Sequence, residues 1–264
     1  MIILLIAANR RQNNQEMLAP NILITVDGAN AFLNNRELTL RLKRQQLIFP
    51  GQTYAQIDVN AIETSIRKME EVLTVEVYKK LGSEWNIDIT TRKPLARIYN
   101  NLGEDFYLDA TGHTLKPSIL YTARVVVVNG DIPDRKDEFT VDDIINNPTL
   151  KSNRLLDDVY RISNYVCNHP FFRAQIGQIY RQTNGDFILI PQVGAQRIVF
   201  GTAKTNAEVE EKFNKLDIFY REAMPFEGWS KYDQINLKYH NQIVCRKKEL
   251  KEKAVSVQIE NEAH

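Results

Sequence analysis

The amino-acid sequence predicts an α+β protein with two domains. The first is a strand–helix–helix–strand–strand unit, and the second is a larger domain with a mostly antiparallel sheet and two packed helices. Helical and hairpin segments stand in separate blocks and do not alternate strictly, which favours the α+β class. A chain of 264 residues that is 43% hydrophobic can bury a full core, most naturally in two modest domains.

The small unit contains five predicted elements. A helix is expected from about residue 35 to 47, and Asp58 is a plausible N-cap for a second helix. That second helix has an apolar stripe at gaps of three and four, formed by Val59, Ile62, Ile66, Met69 and Leu73. Alternating or β-branched runs predict strands over 22–26, 75–78 and 85–90. Turns are expected at Asp27-Gly28 and Gly82-Ser83.

The larger unit begins at Pro94 and ends in a single closing strand. Its strands are predicted over 95–99, 106–109, 115, 121–128, 176–181, 187–190, 197–200 and 235–245, the last with a possible bulge at Asn241-Gln242. One helix has Leu155, Val159, Ile162 and Val166 on its inner face. Another opens with a capping box over 205–208 and turns Val209, Phe213, Leu216 and Phe219 inward. Residues 131–154 are polar and are predicted to be irregular.

The two ends of the chain differ from its middle. Residues 1–8 are strongly apolar, but a membrane span needs roughly 20 apolar residues. They fit either the outer end of a membrane anchor or a buried N-terminal strand. Residues 9–20 are polar and are predicted to form a linker, and residues 249–264 are predicted to be a charged, disordered tail. The net charge of +1, from 34 basic and 33 acidic residues, argues against nucleic acid as a partner.

No catalytic, cofactor or metal site is predicted. The four histidines stand far apart without metal-ligand spacing, and neither a Gly-rich phosphate loop nor a nucleophile elbow is present. Cys167 and Cys245 are interpreted as inert thiols. The pairs Glu70-Glu71, Asp142-Asp143 and Asp157-Asp158 fall where solvated helix faces or caps are expected. Arg92, Lys93 and Arg97 surround Pro94 and predict either a contact patch between the domains or a solvated hinge.

The closing strand is the part of the chain that favours binding. Lys238, His240 and Gln242 alternate with apolar residues, so one face is expected to be buried and the other wet. A strand at the edge of a sheet exposes unpaired N–H and C=O groups that can accept an extended partner. The basic residues 246–248 could instead guard this edge against pairing.

Three motifs resemble those of one known family of proteins. Residues 85–97, Trp-Asn-Ile-Asp-Ile-Thr-Thr-Arg-Lys-Pro-Leu-Ala-Arg, follow Val75-Glu-Val77 and resemble the family's "I-x-V-x-E-R-x-P-V-A" run. Residues 106–112, Phe-Tyr-Leu-Asp-Ala-Thr-Gly, resemble its "L-V-D-x-x-G" hairpin. Residues 232–241, Tyr-Asp-Gln-Ile-Asn-Leu-Lys-Tyr-His-Asn, resemble its closing "V-D-L-R-Y-x-N-G". The family that these motifs resemble is that of the FtsQ/DivIB cell-division proteins. Gln242 departs from its pattern, since the family often has Gly there.

The resemblance implies a function without catalysis. Residues 1–20 would be the end of a membrane anchor and a linker, 21–92 a POTRA domain, 93–248 a β domain and 249–264 the tail. The protein would be a single-pass inner-membrane protein with most of its chain in the periplasm. It would bind division proteins resembling FtsB and FtsL and help to regulate septal peptidoglycan synthesis. Strand addition is expected at Tyr239, His240, Asn241, Gln242, Ile243, Arg246 and Lys247. The alternatives are a POTRA-containing chaperone for outer-membrane protein assembly or secretion, or an unrecognised exported enzyme.

Overall fold

The computed structural model describes residues 10–26, 32–119 and 121–248. The predictions for the apolar start, the turn at Asp27-Gly28 and the tail over 249–264 lie outside the described residues.

The small domain has the predicted strand–helix–helix–strand–strand order. Its elements are β1 (Asn21–Thr25), α1 (Asn35–Arg44), α2 (Val59–Arg67), β2 (Val72–Lys79) and β3 (Trp85–Thr91). The three strands form one sheet in the order β1-β3-β2, with β1 parallel and β2 antiparallel to β3. The buried faces of the two helices cover this sheet, and they include Leu38, Leu42, Ile62 and Ile66.

Side-chain caps set where the two helices of the small domain begin. The side-chain amide oxygen of Asn34 accepts a hydrogen bond from the backbone N–H of Glu37 at 2.8 Å. The Asp58 carboxylate accepts one from the backbone N–H of Ala61 at 3.0 Å. The prediction that Leu73 continues the α2 stripe is wrong, because α2 ends at Arg67. Leu73 lies in β2 beside a register shift, and 41% of its surface is exposed.

Part of the predicted linker is packed against the small domain. The backbone N–H of Met17 donates to the Gln52 carbonyl at 2.9 Å, and that of Leu18 donates to the Ser83 carbonyl at 2.8 Å. The indole N–H of Trp85 donates to the Leu18 carbonyl at 2.9 Å, and the Met17 side chain is buried. These hydrogen bonds satisfy backbone groups of Met17 and Leu18 within the domain, and the assignment of residues 1–20 to the end of an anchor and a linker stays a prediction.

The large domain is built on one nine-stranded sheet with the order β12-β11-β10-β9-β8-β7-β4-β5-β6. Its strands are β4 (Pro94–Tyr99), β5 (Asp105–Asp109), β6 (Thr114–Leu115), β7 (Val126–Gly130), β8 (Ile176–Arg181), β9 (Phe187–Pro191), β10 (Arg197–Gly201), β11 (Tyr232–Asn236) and β12 (Val244–Lys247). Five of the eight neighbouring pairs are antiparallel. The other three are parallel. The mostly antiparallel sheet that the sequence predicts is confirmed.

Two longer helices pack together against this sheet, as predicted. The helices of the large domain are α3 (Val141–Asn146), α4 (Pro148–Asn153), α5 (Leu156–Asn168), α6 (Pro170–Gln175), α7 (Asn206–Ile218), a π-helical turn (Phe219–Ala223) and α8 (Met224–Glu227). The rings of Tyr165 in α5 and Phe213 in α7 stack with centroids 4.4 Å apart. Phe172, Phe200 and Phe213 are fully buried between the helices and the sheet.

Three sequence predictions for the large domain are wrong. The irregular stretch predicted over 131–154 is wrong for 141–153, because a capping box between Thr140 and Asp143 starts α3 and Asn147 caps α4, whereas 131–140 has no helix or strand. The predicted strand over 121–128 begins only at Val126. The single closing strand is a hairpin of β11 and β12, in which Asn241 lies in the turn with φ +57°.

Ion pairs and aromatic contacts join the two domains. Arg92 follows β3, and its guanidinium donates to the buried carboxylate of Asp109 at 2.9 Å. The rings of Phe32 and Tyr107 meet edge to face with centroids 5.2 Å apart. The Glu70 carboxylate accepts from Lys136 at 3.1 Å across the same junction. Arg92 therefore forms part of a contact between the domains and is not a solvated hinge residue.

Candidate partner-binding edge

The strand β12 lies at one end of the nine-stranded sheet. It pairs with β11 in antiparallel register, with Cys245 opposite Ile235 and Val244 opposite Asn236. On its other side the described part of the chain supplies no strand. The backbone N–H of Lys248 donates to the Lys231 carbonyl at 2.9 Å, toward β11. Because N–H directions alternate along a strand, those of Cys245 and Lys247 point to the open edge.

The turn between β11 and β12 is held by α7. The Lys215 ammonium donates to the carbonyls of Leu237 at 3.2 Å and Tyr239 at 2.8 Å. Glu211 accepts from Lys215 at 3.3 Å and lies 3.2 Å from the imidazole Nδ1 of His240. The hydrogen bond from Lys215, with the nearby His240, lowers the pKa of Glu211. These contacts fix the path of the backbone just before the open edge.

A shallow groove of about 410 Å³ lies beside this turn. One wall is formed by Ile218, Phe219 and Ala223 at the end of α7, and the other by Gln242 and Ile243. Half of the Ile218 surface is exposed (50%), although the residue is large and apolar. An apolar side chain of a strand added to β12 could be buried there, which would stabilise the added strand.

The open edge carries positive charge. The Arg246 guanidinium donates to both carboxylate oxygens of Asp233, at 2.8 and 2.9 Å, and lowers the pKa of that carboxyl. Lys247 and Lys248 are also exposed. Such residues prevent unspecific edge pairing, and they also favour a partner segment with acidic side chains.

All seven predicted site residues lie in this one hairpin, although not in one strand. Arg246 and Lys247 belong to β12, whereas Tyr239, His240, Asn241 and Gln242 form the exposed turn. Ile243 is partly buried against the main core. The structure brings these residues together because the turn reverses the chain, so the alternating faces predicted for one continuous strand do not exist.

Two neighbours of the edge, Lys215 and Ile218, lie outside the sequence predictions for it. Val244 and Cys245 belong to the closing strand that the sequence predicts over 235–245, whereas Lys215 reaches the turn from α7. The apolar residue Ile218 also lies outside the predicted inward stripe of its helix, and this mismatch is the one local signal of an exposed apolar surface. No sequence pattern connects Lys215 with Tyr239, which is 24 residues further along the chain.

Two buried carboxylates of the large domain, Asp157 and Asp134, have hydrogen-bond partners. The prediction that Asp157 is solvated is wrong: it is buried, and Arg161 donates to it at 2.6 Å. Burial raises the pKa of Asp134 to about 6, although the N–H of Leu155 and the charge of Arg154 act in the opposite direction. Among the described residues, no three His, Cys, Asp or Glu side chains form a group that could hold a metal ion.

The two cysteines are free, half-buried thiols on different elements. Cys167 lies in α5 and Cys245 in β12. Burial raises the pKa of the Cys245 thiol, which disfavours its reactive thiolate form.

Within the described residues, the chain forms a two-domain α+β protein whose large sheet ends in β12. The family models agree with this description. Residues 20–90 match the POTRA-like domain, and residues 93–246, more than half of the chain, match the FtsQ/DivIB, C-terminal related family. The chain therefore belongs to the FtsQ/DivIB-related family, and the resemblance seen in its motifs is confirmed. Comparison with the curated proteins gives no match.

Members of the FtsQ/DivIB family are non-enzymatic, membrane-anchored components of the divisome. In the ranges that the structure describes, no helix is both long and apolar enough to span a bilayer.

Proposed function

We propose that this protein is a non-enzymatic scaffold of the divisome that binds other division proteins by strand addition at β12. The open edge of β12 is the observation that carries the proposal, and all of β12 except Lys247 lies inside the region that matches the family model. A sheet edge with outward N–H and C=O groups is a ready acceptor for an extended segment of another chain.

The proposed complex extends the large sheet by one strand. The backbone N–H groups of Cys245 and Lys247 would donate to the added strand, and its side chains would alternate between the groove at Ile218 and the solvent. Tyr239 and Gln242 in the turn would contact the part of the partner that enters the edge. Arg246 and Lys247 would favour acidic residues there. We propose partners that resemble the family's FtsB and FtsL.

We also propose a role in the envelope, which rests on the match to the family model. We propose that residues 1–20 contain the end of an inner-membrane anchor and that the two domains, 21–92 and 93–248, lie in the periplasm, with 249–264 as a tail. There the protein would hold its partners together and so help to regulate septal peptidoglycan synthesis, without converting a substrate. The structural partners of Asp157 and Asp134 support a role without catalysis, since both buried carboxylates stabilise helix α5.

Hydrogen exchange tests this proposal at the level of single amides. We expect the amides of Cys245 and Lys247 to exchange fast in the free protein and to become protected when the FtsB and FtsL ectodomains are added. The amide of Val244 serves as an internal control, because it already faces β11. Saturating binding without protection at Cys245 and Lys247 would place the interface elsewhere and refute strand addition.

A further inference from the structure

The small domain has a second exposed apolar surface, far from β12 in the chain. A cleft of about 390 Å³ is bordered by Leu18 and Pro20 on one side and by Phe49 and Pro50 on the other. Leu18 is 62% exposed and Phe49 is 45% exposed, so both side chains stand out from the rim of the cleft. Leu40, on the neighbouring helix α1, is also 40% exposed.

The outer face of helix α1 adds positive charge to this surface. Four exposed residues recur at helical spacing on this face: Arg36, Leu40, Lys43 and Arg44. Lys43 also lines the cleft. Among the described residues, no carboxylate forms an ion pair with Arg36, Lys43 or Arg44. Arg41, which is less exposed, differs from them because it pairs with Glu37 and Glu71.

The remaining charges near the cleft do not cancel this pattern. Glu16 is the acidic residue that lines the cleft. Arg10 and Arg11 are exposed on the segment that leads into its wall. Cations beside protruding apolar side chains are typical of proteins that lie on an anionic lipid surface.

We propose that this face of the small domain, formed by Leu18, Leu40, Phe49, Arg36, Lys43 and Arg44, docks onto a bilayer that contains anionic lipids. The apolar side chains would enter the boundary between headgroups and acyl chains, and the cations would contact lipid phosphates. The apolar residues come from a helix, a loop and the entering segment, and this spread fits an extended surface better than a single peptide. The inference uses no residue of the β12 edge and goes beyond the proposed function.

Vesicle sedimentation of the full chain tests the proposal. The apolar residues 1–8 could themselves bind vesicles, so all variants carry Leu4→Asp and Leu5→Asp. We expect binding to phosphatidylglycerol-containing vesicles and much weaker binding to pure phosphatidylcholine. Lys43→Gln with Arg44→Gln should lower the partition coefficient about 30-fold, since each cation near an anionic surface contributes about fivefold. Phe49→Ser should also weaken binding.

A matched pair of cations on the large domain provides the control. Arg173 and Lys204 are exposed there, so Arg173→Gln with Lys204→Gln removes the same charge from another surface and should leave vesicle binding unchanged. Equal binding to both kinds of vesicle, or equal loss in the control and in the Lys43/Arg44 variant, would overturn the proposal. All variants should still bind the FtsB and FtsL ectodomains, so failure of this proposal is distinguishable from failure of the proposed function.

Discussion

Replacing Cys245 with proline is the sharpest test of the open edge. Proline removes the backbone N–H that points away from β11 and leaves the inward donors of Val244 and Arg246 in place. Edge strands tolerate proline where its missing N–H would face solvent. The internal ladder between β11 and β12 should therefore persist, while one donor to the partner is lost.

The size of the effect follows from the cost of an unmade hydrogen bond. The partner carbonyl that would accept from Cys245 becomes buried without a donor, which costs roughly 1–3 kcal/mol. A central value of about 2 kcal/mol corresponds to a roughly 30-fold weaker affinity. Cys245 is also partly buried against the core, so its side chain must be controlled for. Cys245→Ala removes the same thiol but keeps the N–H, and it should bind almost as the wild-type protein does.

Isothermal titration with the FtsB and FtsL ectodomains under reducing conditions measures the difference. Thermal unfolding of each variant checks the fold. A second comparison uses Val244→Pro, which removes an inward donor and should lower the unfolding temperature more than Cys245→Pro does. Equal affinities of Cys245→Pro and Cys245→Ala, at equal stability, would refute the assigned edge.

Three further predictions concern the support of the edge, the core and the domain junction. Lys215→Met keeps the aliphatic stem but removes the donor to the Tyr239 carbonyl. We expect weaker partner binding in titrations, and an unchanged affinity would show that the turn needs no support from α7. Asp134 binds a proton more tightly in the folded state, so its contribution to the free energy of unfolding should fall by about 3 kcal/mol as the pH rises from about 3 to about 7. Denaturant titrations should show Asp134→Asn gaining stability relative to wild type over that range, and a constant difference contradicts the raised pKa. Arg92→Ala leaves the buried Asp109 carboxylate without its cation and should lower the free energy of unfolding by roughly 3 kcal/mol in the same measurement. A loss below about 0.5 kcal/mol would show that Thr111 and the nearby amides are enough to stabilise the buried carboxylate.

Local sequence patterns predict most of the fold. The cap at Asp58 and the periodicity of Ile62 and Ile66 place α2, and the runs predicted as strands over 176–181 and 187–190 place β8 and β9. These signals work because they depend on residues that are close in the chain. Leu73 shows where the approach fails: its spacing continues the helical stripe, but the chain turns after Arg67 and Leu73 enters a strand.

The sequence predicts which segment forms the candidate edge, but it does not predict that this segment is a hairpin. The resemblance of residues 232–241 to the family's closing motif directed attention to the correct segment. The sequence around Asn241 predicts a bulge where the structure has a turn, because two short strands and one bulged strand give the same alternation of residues. Whether β11 and β12 form a hairpin depends on Lys215 and the groove wall of α7, which are distant in sequence.

The amino-acid sequence alone determines the fold class, the order of the elements in the small domain and the family of this protein, since these follow from periodicity, turn residues and local motifs. Tertiary structure alone decides that β12 is the last strand of its sheet, that Asp157 is buried and that Phe49 and Lys43 share one surface. The physical reason is that strand neighbours, burial and surface patches depend on contacts between residues far apart in the chain, and these contacts leave no periodic trace in the sequence.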